Sequence, residues 1–428
     1  MTYLPVRFAW PGREAGVTDG FGLAHAVENV AGLAAFARAT VGLAGYRRDT
    51  GLALAAALEL APAMTAAYAL RGMAEVLRVQ PEAAAPARAA MAAAIDTLGP
   101  HSTADEIALC EALRTALDGR LLGAAEVLDA RLAAAPGALL LLKLSTMLRF
   151  IGGDAAGMVR TTGVALPAWR PTDAGYGFVL GCRSFALEEV SDYAGAERAG
   201  RAALAHTPHN PWAIHAVAHV FEMRTRPREG IAWLEGCRGG WAGANNFAFH
   251  VAWHLALFHL ELGEHDRVLE LYDREVRPAP SEDNRDMANA TALLWRLRQF
   301  GVDVGGRWSE LAEIARRRRG ETALVFAALH RIFALLAVGD FSAVDDVLEA
   351  LAAGGRGEQA AVARAVGLPL ARAMAGHGIG GLAGLECLGG SMAQRDVFVR
   401  TLTMLPGGEA LLRARGRADR FSGMQPGT

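Results

Sequence analysis

Turn-forming residues recur along this chain at an almost constant interval, and this periodicity restricts the fold more than any other feature. The successive intervals are 34, 38, 34, 38, 38, 38 and 37 residues, and the positions are Gly119, Gly153, Ser191, Thr225, Gly263, Gly301, Gly339 and Gly376. An apolar helical pattern precedes most of these turns and an amphipathic one follows, as in ALLAVGDFSAVDDVLEAL around Gly339. Repeated helix–turn–helix units of this length are typical of tetratricopeptide-like arrays, in which each unit buries its apolar face against its neighbours.

The composition agrees with a helical fold. Hydrophobic residues make up 52% of the chain and aromatic residues only 7%. Much of the apolar content is alanine, which favours helices and lets their backbones pack closely. We find no alternating β-branched stretch bounded by Asn-Gly or Asp-Gly, the pattern that is typical of hairpins. The sequence therefore predicts an all-α fold, a right-handed tetratricopeptide-like superhelix with a C-terminal capping helix.

We expect one continuous solenoid over residues 21–415, because no long Ser/Gly-rich or Pro-rich linker interrupts the chain. The regular repeats are predicted for about 104–390 and the cap for about 391–415, with Ser391 as the N-cap of the capping helix. Residues 1–20 are predicted to form an extended arm and residues 416–428 a disordered tail. Before the regular repeats we predict two looser helix pairs, Phe21–Ala39 with Gly51–Ala61 and Met64–Val79 with Ala83–Leu98.

Charge and cysteine content exclude several classes of partner. The formal net charge is −2, from 43 basic and 45 acidic residues, so no global field favours nucleic acid or an anionic membrane. The four cysteines have no paired spacing, which argues against disulfides and against a zinc ribbon. No secretory signal and no bilayer-length apolar run are visible, so a cytoplasmic location is expected. An uncovered apolar stripe on the final helix would indicate a homodimer.

Histidines are concentrated in one region of the chain. Eight of the twelve lie between His206 and Glu275. Two pairs, His215 with His219 and His250 with His254, have i,i+4 spacing and therefore project from one face of a helix. The two helices, predicted at 211–224 and 245–262, both precede turns in neighbouring units. Because such helices line the concave face of a tetratricopeptide-like array, we expect the two pairs to converge.

Counting back from the turns places several polar residues at one position of the repeat. His254 and His330 each stand nine residues before their turn, Cys182 also stands nine before, and His215 stands ten before. His219 stands six before its turn, where the other units carry Phe185, Leu257, Trp295 and Phe333. This position indicates a core histidine that is satisfied by a hydrogen bond, with Glu222 or a backbone carbonyl as the partner.

Three hypotheses explain the cluster, and the first is a metal site. His215, His219, His250 and His254 would coordinate a divalent metal such as zinc, with Glu222 as a further ligand or as a hydrogen-bond acceptor behind a ligand. The second is metal-free acid–base catalysis, with His215 or His254 as the catalytic base and Glu222 or Asp286 orienting it.

The third hypothesis is a polar, aromatic-walled pocket for a small molecule or peptide. Its ligand-binding residues would be Trp212, His219, Asn246, His250, Trp253, Asp286, Trp295, Arg296 and His330. We take such binding as the leading function, with an intracellular hydrolase or lyase that uses the histidine cluster as the alternative and a protein-interaction scaffold as the third possibility.

Several blocks of the sequence resemble the tetratricopeptide repeat protein 38 family. The blocks are NPWAIHAVAHVFEM, WHLALFHLELGEHDRVLELYD, DMANATALLWRLRQFGVDVGGRW, GGSMAQRDVF and the early FGLAHAVENVAGL. The resemblance covers about Phe21 to Arg415 and implies a compact, soluble, intracellular superhelix of degenerate repeats, without a reaction that could be carried over. The recurrent residues that it implies here are His25, Trp212, His215, His219, Glu222, Asn246, His250, Trp253, His254, Trp295 and Arg395. Met392 departs from the polar residue expected at its position, and Val27-Glu28-Asn29 departs from the expected basic, glycine-containing run.

Overall fold

A computed structural model describes residues 16–26, 29–354, 357–377 and 385–405. Within these ranges the chain is an all-α helical-repeat superhelix, as predicted. The helices of the first half are α1 Val30–Ala44, α2 Thr50–Leu60, α3 Thr65–Val76, α4 Ala84–Asp96, α5 Ala104–Leu117, α6 Leu121–Ala134, α7 Leu139–Ile151, α8 Ala155–Ala165, α9 Tyr176–Glu189 and α10 Tyr193–His206. Those of the second half are α11 Pro211–Met223, α12 Pro227–Gly236, α13 Arg238–Trp241, α14 Phe247–Glu261, α15 His265–Leu271, α16 Asn284–Gln299, α17 Trp308–Arg317, α18 Val325–Ala337, α19 Phe341–Ala353, α20 Glu358–Val362, α21 Leu368–Met374 and α22 Met392–Thr403.

The turns confirm the predicted period. All eight predicted turn positions adopt the left-handed backbone conformation, with φ between 53° at Thr225 and 86° at Gly376. Seven of them separate two consecutive helices, from Gly119 between α5 and α6 to Gly339 between α18 and α19, and the eighth follows α21. A left-handed residue reverses the chain within a few residues, so each helix packs against the next one.

Two further residues extend the pattern towards the N-terminus. Tyr46, between α1 and α2, has φ 54°, and Val79, between α3 and α4, has φ 47°. The two looser helix pairs are therefore repeats of the same kind. The sequence did not reveal their turns because a bulky or β-branched residue rarely adopts this conformation.

The first units fold back against later ones. The carbonyl of Tyr46 accepts a hydrogen bond from the backbone N–H of Asn245 at 2.7 Å, and that of Val79 accepts one from the Asn284 side chain at 3.0 Å. Glu358 accepts a hydrogen bond from a backbone N–H at the start of α6, at 2.9 Å. Units that are distant in sequence therefore surround a common interior.

The start of the chain corrects one prediction. The helix expected over Phe21–Ala39 begins only at Val30, where the Asn29 side chain caps it. The preceding residues form a short antiparallel pair of strands, β1 Val17–Thr18 and β2 Ala24–His25. The reversal between them passes through Gly22, whose φ of 82° favours a turn over a helix.

The C-terminal cap begins as predicted. Ser391 caps α22 through reciprocal hydrogen bonds with Gln394, at 3.2 Å from the Gln394 backbone N–H and 3.0 Å to its side-chain oxygen. Residues 1–15 of the predicted arm, residues 406–415 of the predicted cap and the predicted tail at 416–428 lie outside the described residues. The division into arm, solenoid, cap and tail therefore stays a prediction. Across the described ranges, no helix combines the length and apolarity needed to cross a bilayer.

Candidate metal centre

The four histidines of α11 and α14 converge on one point. Their Nε2 atoms form a closed ring of contacts. His215 lies 2.8 Å from His250 and 2.8 Å from His219, while His254 lies 3.1 Å from His219 and 3.3 Å from His250. All four nitrogens lie within 4.8 Å of one another, and all four side chains are buried. The predicted convergence of the two pairs is therefore present.

The local sequence explains this placement. Each helix carries its two histidines one turn apart, so both rings leave the same face. Asn210 fixes the start of α11, because its side chain accepts from the backbone N–H of Ala213 at 3.1 Å and donates to the carbonyl of Gly177 at 3.0 Å. The second bond ties α11 to α9. Small buried residues beside the histidines, such as Ala218 and Ala252, let the helices approach closely.

Three of the rings are oriented through their other nitrogen. The Nδ1 atom of His219 lies 3.1 Å from Glu188 Oε2, that of His254 lies 2.8 Å from Glu222 Oε2, and that of His250 lies 3.1 Å from Asn289 Oδ1. An oxygen acceptor holds the ring proton on Nδ1 and leaves a lone pair on Nε2. The Nδ1 atom of the fourth ring, His215, is buried without a hydrogen-bond partner.

Hydrogen bonds cannot account for the ring of Nε2 contacts. A neutral imidazole carries a single N–H proton, and a contact between two Nε2 atoms is a hydrogen bond only when one atom has a proton and the other a lone pair. In a closed ring of four such atoms, at most two can carry a proton that finds a lone pair, so at most two of the four contacts can be hydrogen bonds. Once the Nδ1 atoms of His219, His250 and His254 donate to their acceptors, only His215 has a proton to offer. At most one of the four contacts is then a hydrogen bond, and at least two of them join two lone pairs.

A cation at the centre would resolve this conflict. Metal–imidazole distances of about 2.0–2.1 Å place adjacent nitrogens about 2.9 Å apart in a square-planar set and about 3.3 Å apart in a tetrahedral one. The observed separations of 2.8–3.3 Å match this range. Behind three of the rings, the carboxylate and amide acceptors match the usual hydrogen-bond partners of metal-bound histidines.

The protonation states agree with this interpretation. Burial, followed by the charges of neighbouring groups, lowers the pKa of His215, His250 and His254 well below the ordinary histidine value. Burial also lowers the pKa of His219. The four rings are therefore neutral at pH 7, as ligands must be.

The acidic partners need a compensating positive charge. Burial raises the pKa of Glu188 to about 8 and the pKa of Glu222 to about 7. A divalent cation enclosed by neutral imidazoles would supply positive charge close to both groups and would favour their ionised forms.

Two of the three predicted tryptophan walls border the cluster. Trp212 and Trp253 pack against His215 and His250, with ring centroids 5.2 Å and 5.5 Å apart. Trp295 lies elsewhere, because its indole nitrogen donates to a hydroxyl of α22 at 3.1 Å. The aromatic rings exclude water from one side of the histidines.

Most of the polar residues predicted for the pocket make other contacts. Asn246 binds Arg285 at 2.6 Å and Asp286 at 3.3 Å. Of the two carboxylates that could have oriented a catalytic histidine, Asp286 bonds Asn246 and Ser281 instead, and only Glu222 contacts a clustered ring. Arg296 lies over the Trp253 ring at 5.5 Å and pairs with Asp396 at 3.4 Å.

His330 and His219 also correct the predictions. The ring of His330 hydrogen-bonds the carbonyl of Phe326 at 2.8 Å and lies outside the four-histidine cluster. His219 is buried as predicted, but Glu188 rather than Glu222 is its partner. Its Nε2 faces the cluster because the Nδ1 acceptor comes from α9, in the preceding unit.

Two residues beside the cluster were missed from the sequence. Asn289 carries no charge and stands twelve residues before its turn at Gly301, away from the repeat position that His254 and His330 share, so nothing marked it. Lys143 stands ten residues before Gly153, as His215 stands ten before its turn, and this spacing could have identified it. Its ammonium group is buried 4.4 Å from the centre of the Trp212 ring.

Two cavities reach the cluster from different sides. The larger has a volume of about 310 Å³ and is bordered by His215 and His250. The smaller, of about 150 Å³, is bordered by Glu222, the acceptor behind His254. A small molecule in the larger cavity would meet the histidine cluster directly.

Comparisons with known proteins give no functional assignment. No protein-family model matches the chain. Among solved structures, it is similar to the APC/C hetero-tetramer Cut9–Hcn1, with 13% identity and a TM-score of 0.35 over 74% of this chain and 59% of that one. It is also similar to the tetratricopeptide domain of P58(IPK), with 16% identity and a TM-score of 0.22 over 80% of this chain and 88% of that one. The resemblance to the tetratricopeptide repeat protein 38 family stays a prediction.

Proposed function

We propose that this chain is a metal-binding helical-repeat protein in which His215, His219, His250 and His254 hold a divalent transition-metal ion. One observation carries the proposal: four short contacts between Nε2 atoms that hold too few protons to be hydrogen bonds. Imidazole ligands suit zinc, copper, nickel and iron, and zinc is the first candidate because it readily takes four such ligands.

We further propose that the metal centre serves a small-molecule binding site. His215 and His250 border the cavity of about 310 Å³, so a ligand there lies next to the metal. Catalytic zinc sites usually have three protein ligands and one open position, whereas this centre offers four. Binding is therefore favoured over hydrolase or lyase chemistry. A scaffold role alone gives no reason to bury four histidines together.

Elemental analysis tests the metal site. Protein purified without an affinity tag, and dialysed against metal-free buffer, should contain close to one transition-metal ion per chain. A stoichiometry near zero that stays near zero after incubation with zinc would overturn the proposal.

A pair of histidine variants makes this test specific. His219→Ala removes one ligand and should lower metal content at least tenfold, while His330→Ala, a buried histidine outside the cluster, should retain the metal. Circular dichroism should show that both variants remain helical. Equal metal content in the two variants would contradict the assignment of His219 as a ligand.

A further inference from the structure

A guanidinium group on the wall of the larger cavity has no ionic partner. Arg285 borders this cavity at the start of α16. One of its terminal nitrogens donates to Asn246 Oδ1 at 2.6 Å, while its Nε is buried without a hydrogen-bond partner. Among the residues that the structure describes, none forms a salt bridge with it. A guanidinium that no carboxylate contacts, at the edge of a cavity, favours an anion.

Asn246 positions this guanidinium without neutralising it. The Asn246 side-chain nitrogen donates to the Asp286 carboxylate at 3.3 Å, so its oxygen is free to accept from Arg285. The Asp286 carboxylate also accepts from the Ser281 hydroxyl at 2.8 Å. Burial raises the pKa of Asp286 and the charge of Arg285 opposes that shift, but the Asp286 carboxylate is hydrogen-bonded to an amide and a hydroxyl and forms no ion pair with Arg285. The Nε of Arg285 therefore stays available as a donor.

The other charged groups at the cavity are already engaged. Arg78 is the second guanidinium on the cavity wall, and it forms an ion pair with Glu75 at 2.9 Å. The Asp283 carboxylate accepts two backbone hydrogen bonds at the start of α16. Arg285 is thus the group best placed to bind a charged ligand.

The other side chains that line the larger cavity suit a ligand with a flat apolar part. Aromatic side chains of Tyr46, Trp212, Phe247 and Phe326 border the same cavity. Tyr46 and Phe247 are stacked, with ring centroids 4.2 Å apart and an angle of 20° between planes. Aromatic walls with a few fixed polar groups are typical of sites for small organic ligands.

We propose that the larger cavity binds a small organic carboxylate whose negative charge pairs with Arg285 and whose apolar part lies between the aromatic walls. Guanidinium groups bind carboxylates through two parallel hydrogen bonds, and the unpartnered Nε of Arg285 supplies one donor of such a pair. The inference rests on the proposed metal-dependent site, since the bound cation adds attraction for the anion.

Benzoate and its uncharged isostere benzamide provide the test. Binding of each to the metal-loaded protein is measured by isothermal titration calorimetry, with metal content determined on the same sample. Benzoate should bind at least tenfold more tightly than benzamide. Equal affinities, or no binding of benzoate, would overturn the proposal.

A matched pair of variants assigns the effect to one residue. Arg285→Gln should remove the preference for benzoate, whereas Arg78→Gln, at the same cavity, should keep it. A preference that survives in Arg285→Gln would contradict the inference. Metal content separates the two proposals. If the protein contains metal but binds benzoate no better than Arg285→Gln does, only the carboxylate site is disproved. If the protein contains no metal but its preference for benzoate still depends on Arg285, only the metal centre is disproved.

Discussion

Each of three clustered histidines is oriented by an oxygen from a different side chain. Glu188, Glu222 and Asn289 accept from the Nδ1 atoms, and the Nε2 lone pairs consequently point inward. A carboxylate acceptor also makes the imidazole a stronger base and a better ligand. The acceptors should therefore affect metal affinity although none of them is proposed to touch the metal.

We predict that Glu222→Gln lowers metal affinity by about 10–100-fold, because an amide is a weaker acceptor than a carboxylate for the Nδ1–H of His254. Competition with a chromogenic chelator measures the change. Glu261→Gln is the control, since Glu261 borders the same smaller cavity and pairs with Arg400. Equal affinities for the two variants would show that Glu222 has no influence on the metal.

His330 should make stability depend on pH. Burial lowers the pKa of His330 to about 3, while an unfolded chain retains the ordinary value of 6.5. Between these values the unfolded state binds more protons, so stability is present above pH 6.5 and falls as the pH falls towards 3. This one group changes the free energy of unfolding by at most about 1.4 kcal/mol per pH unit.

Urea unfolding at pH 7 and pH 5 measures this dependence. We expect His330→Phe to lose less stability than the natural chain on acidification, because every other titrating group is common to both. The same change at the exposed His209 should leave the difference unaltered. An equal loss of unfolding free energy between pH 7 and pH 5 in all three proteins would contradict the prediction.

At the scale of the elements, the sequence predicted the eight regular turns because glycine, serine and threonine mark them at a fixed interval. All eight have positive φ, whereas the equivalent positions Tyr46 and Val79 could not be recognised from residue type. The start of α1 was also mistaken, since an apolar pattern continues through a segment that forms strands instead.

The candidate site was predictable only in part. Spacing alone placed the four histidines on neighbouring helices that face the interior. It could not assign Glu188 to His219 or Glu222 to His254, because these partners depend on how units rotate against one another. It also could not separate His330 from the cluster, because His330 shares the repeat position of His254.

Thr225 occupies a turn that favours glycine. Its φ is 53°, and a left-handed conformation costs a residue with a Cβ about 1–2 kcal/mol. Glycine relieves this strain, but its larger conformational entropy in the unfolded chain offsets part of the gain. We therefore predict that Thr225→Gly raises the free energy of unfolding by about 0.5–1 kcal/mol. Urea titration measures the change.

The equivalent turn at Gly263 gives the reverse experiment. Its φ is 73°, and an added Cβ would meet no atom within 4 Å, so the backbone conformation alone sets the cost. Gly263→Thr should destabilise the protein by a similar amount. If both substitutions changed stability in the same direction, the left-handed turn would not be the cause.

At the scale of the whole molecule, the candidate centre links four consecutive repeat units. The histidines lie on α11 and α14, while Glu188 comes from α9 and Asn289 from α16. A metal bound there stabilises the middle of the superhelix, where many units depend on their neighbours.

We therefore predict that metal removal lowers the melting temperature by several degrees. A ligand that binds only the folded state at 100 times its Kd adds about 2.7 kcal/mol of stability. Differential scanning calorimetry with and without a chelator measures the shift. In His219→Ala the chelator should change the melting temperature little. A decrease as large as that of the natural chain would mean that the chelator removes a metal from another site.

The larger cavity takes its walls from both ends of the chain. Tyr46 belongs to the first unit and Gln394 to α22, whereas the clustered histidines belong to units in the middle. Substitutions in the terminal helices can therefore change which molecules are admitted while the coordinating residues stay constant. Chains built on the proposed centre could diversify in this way, sharing its ligands while each recognises a different compound.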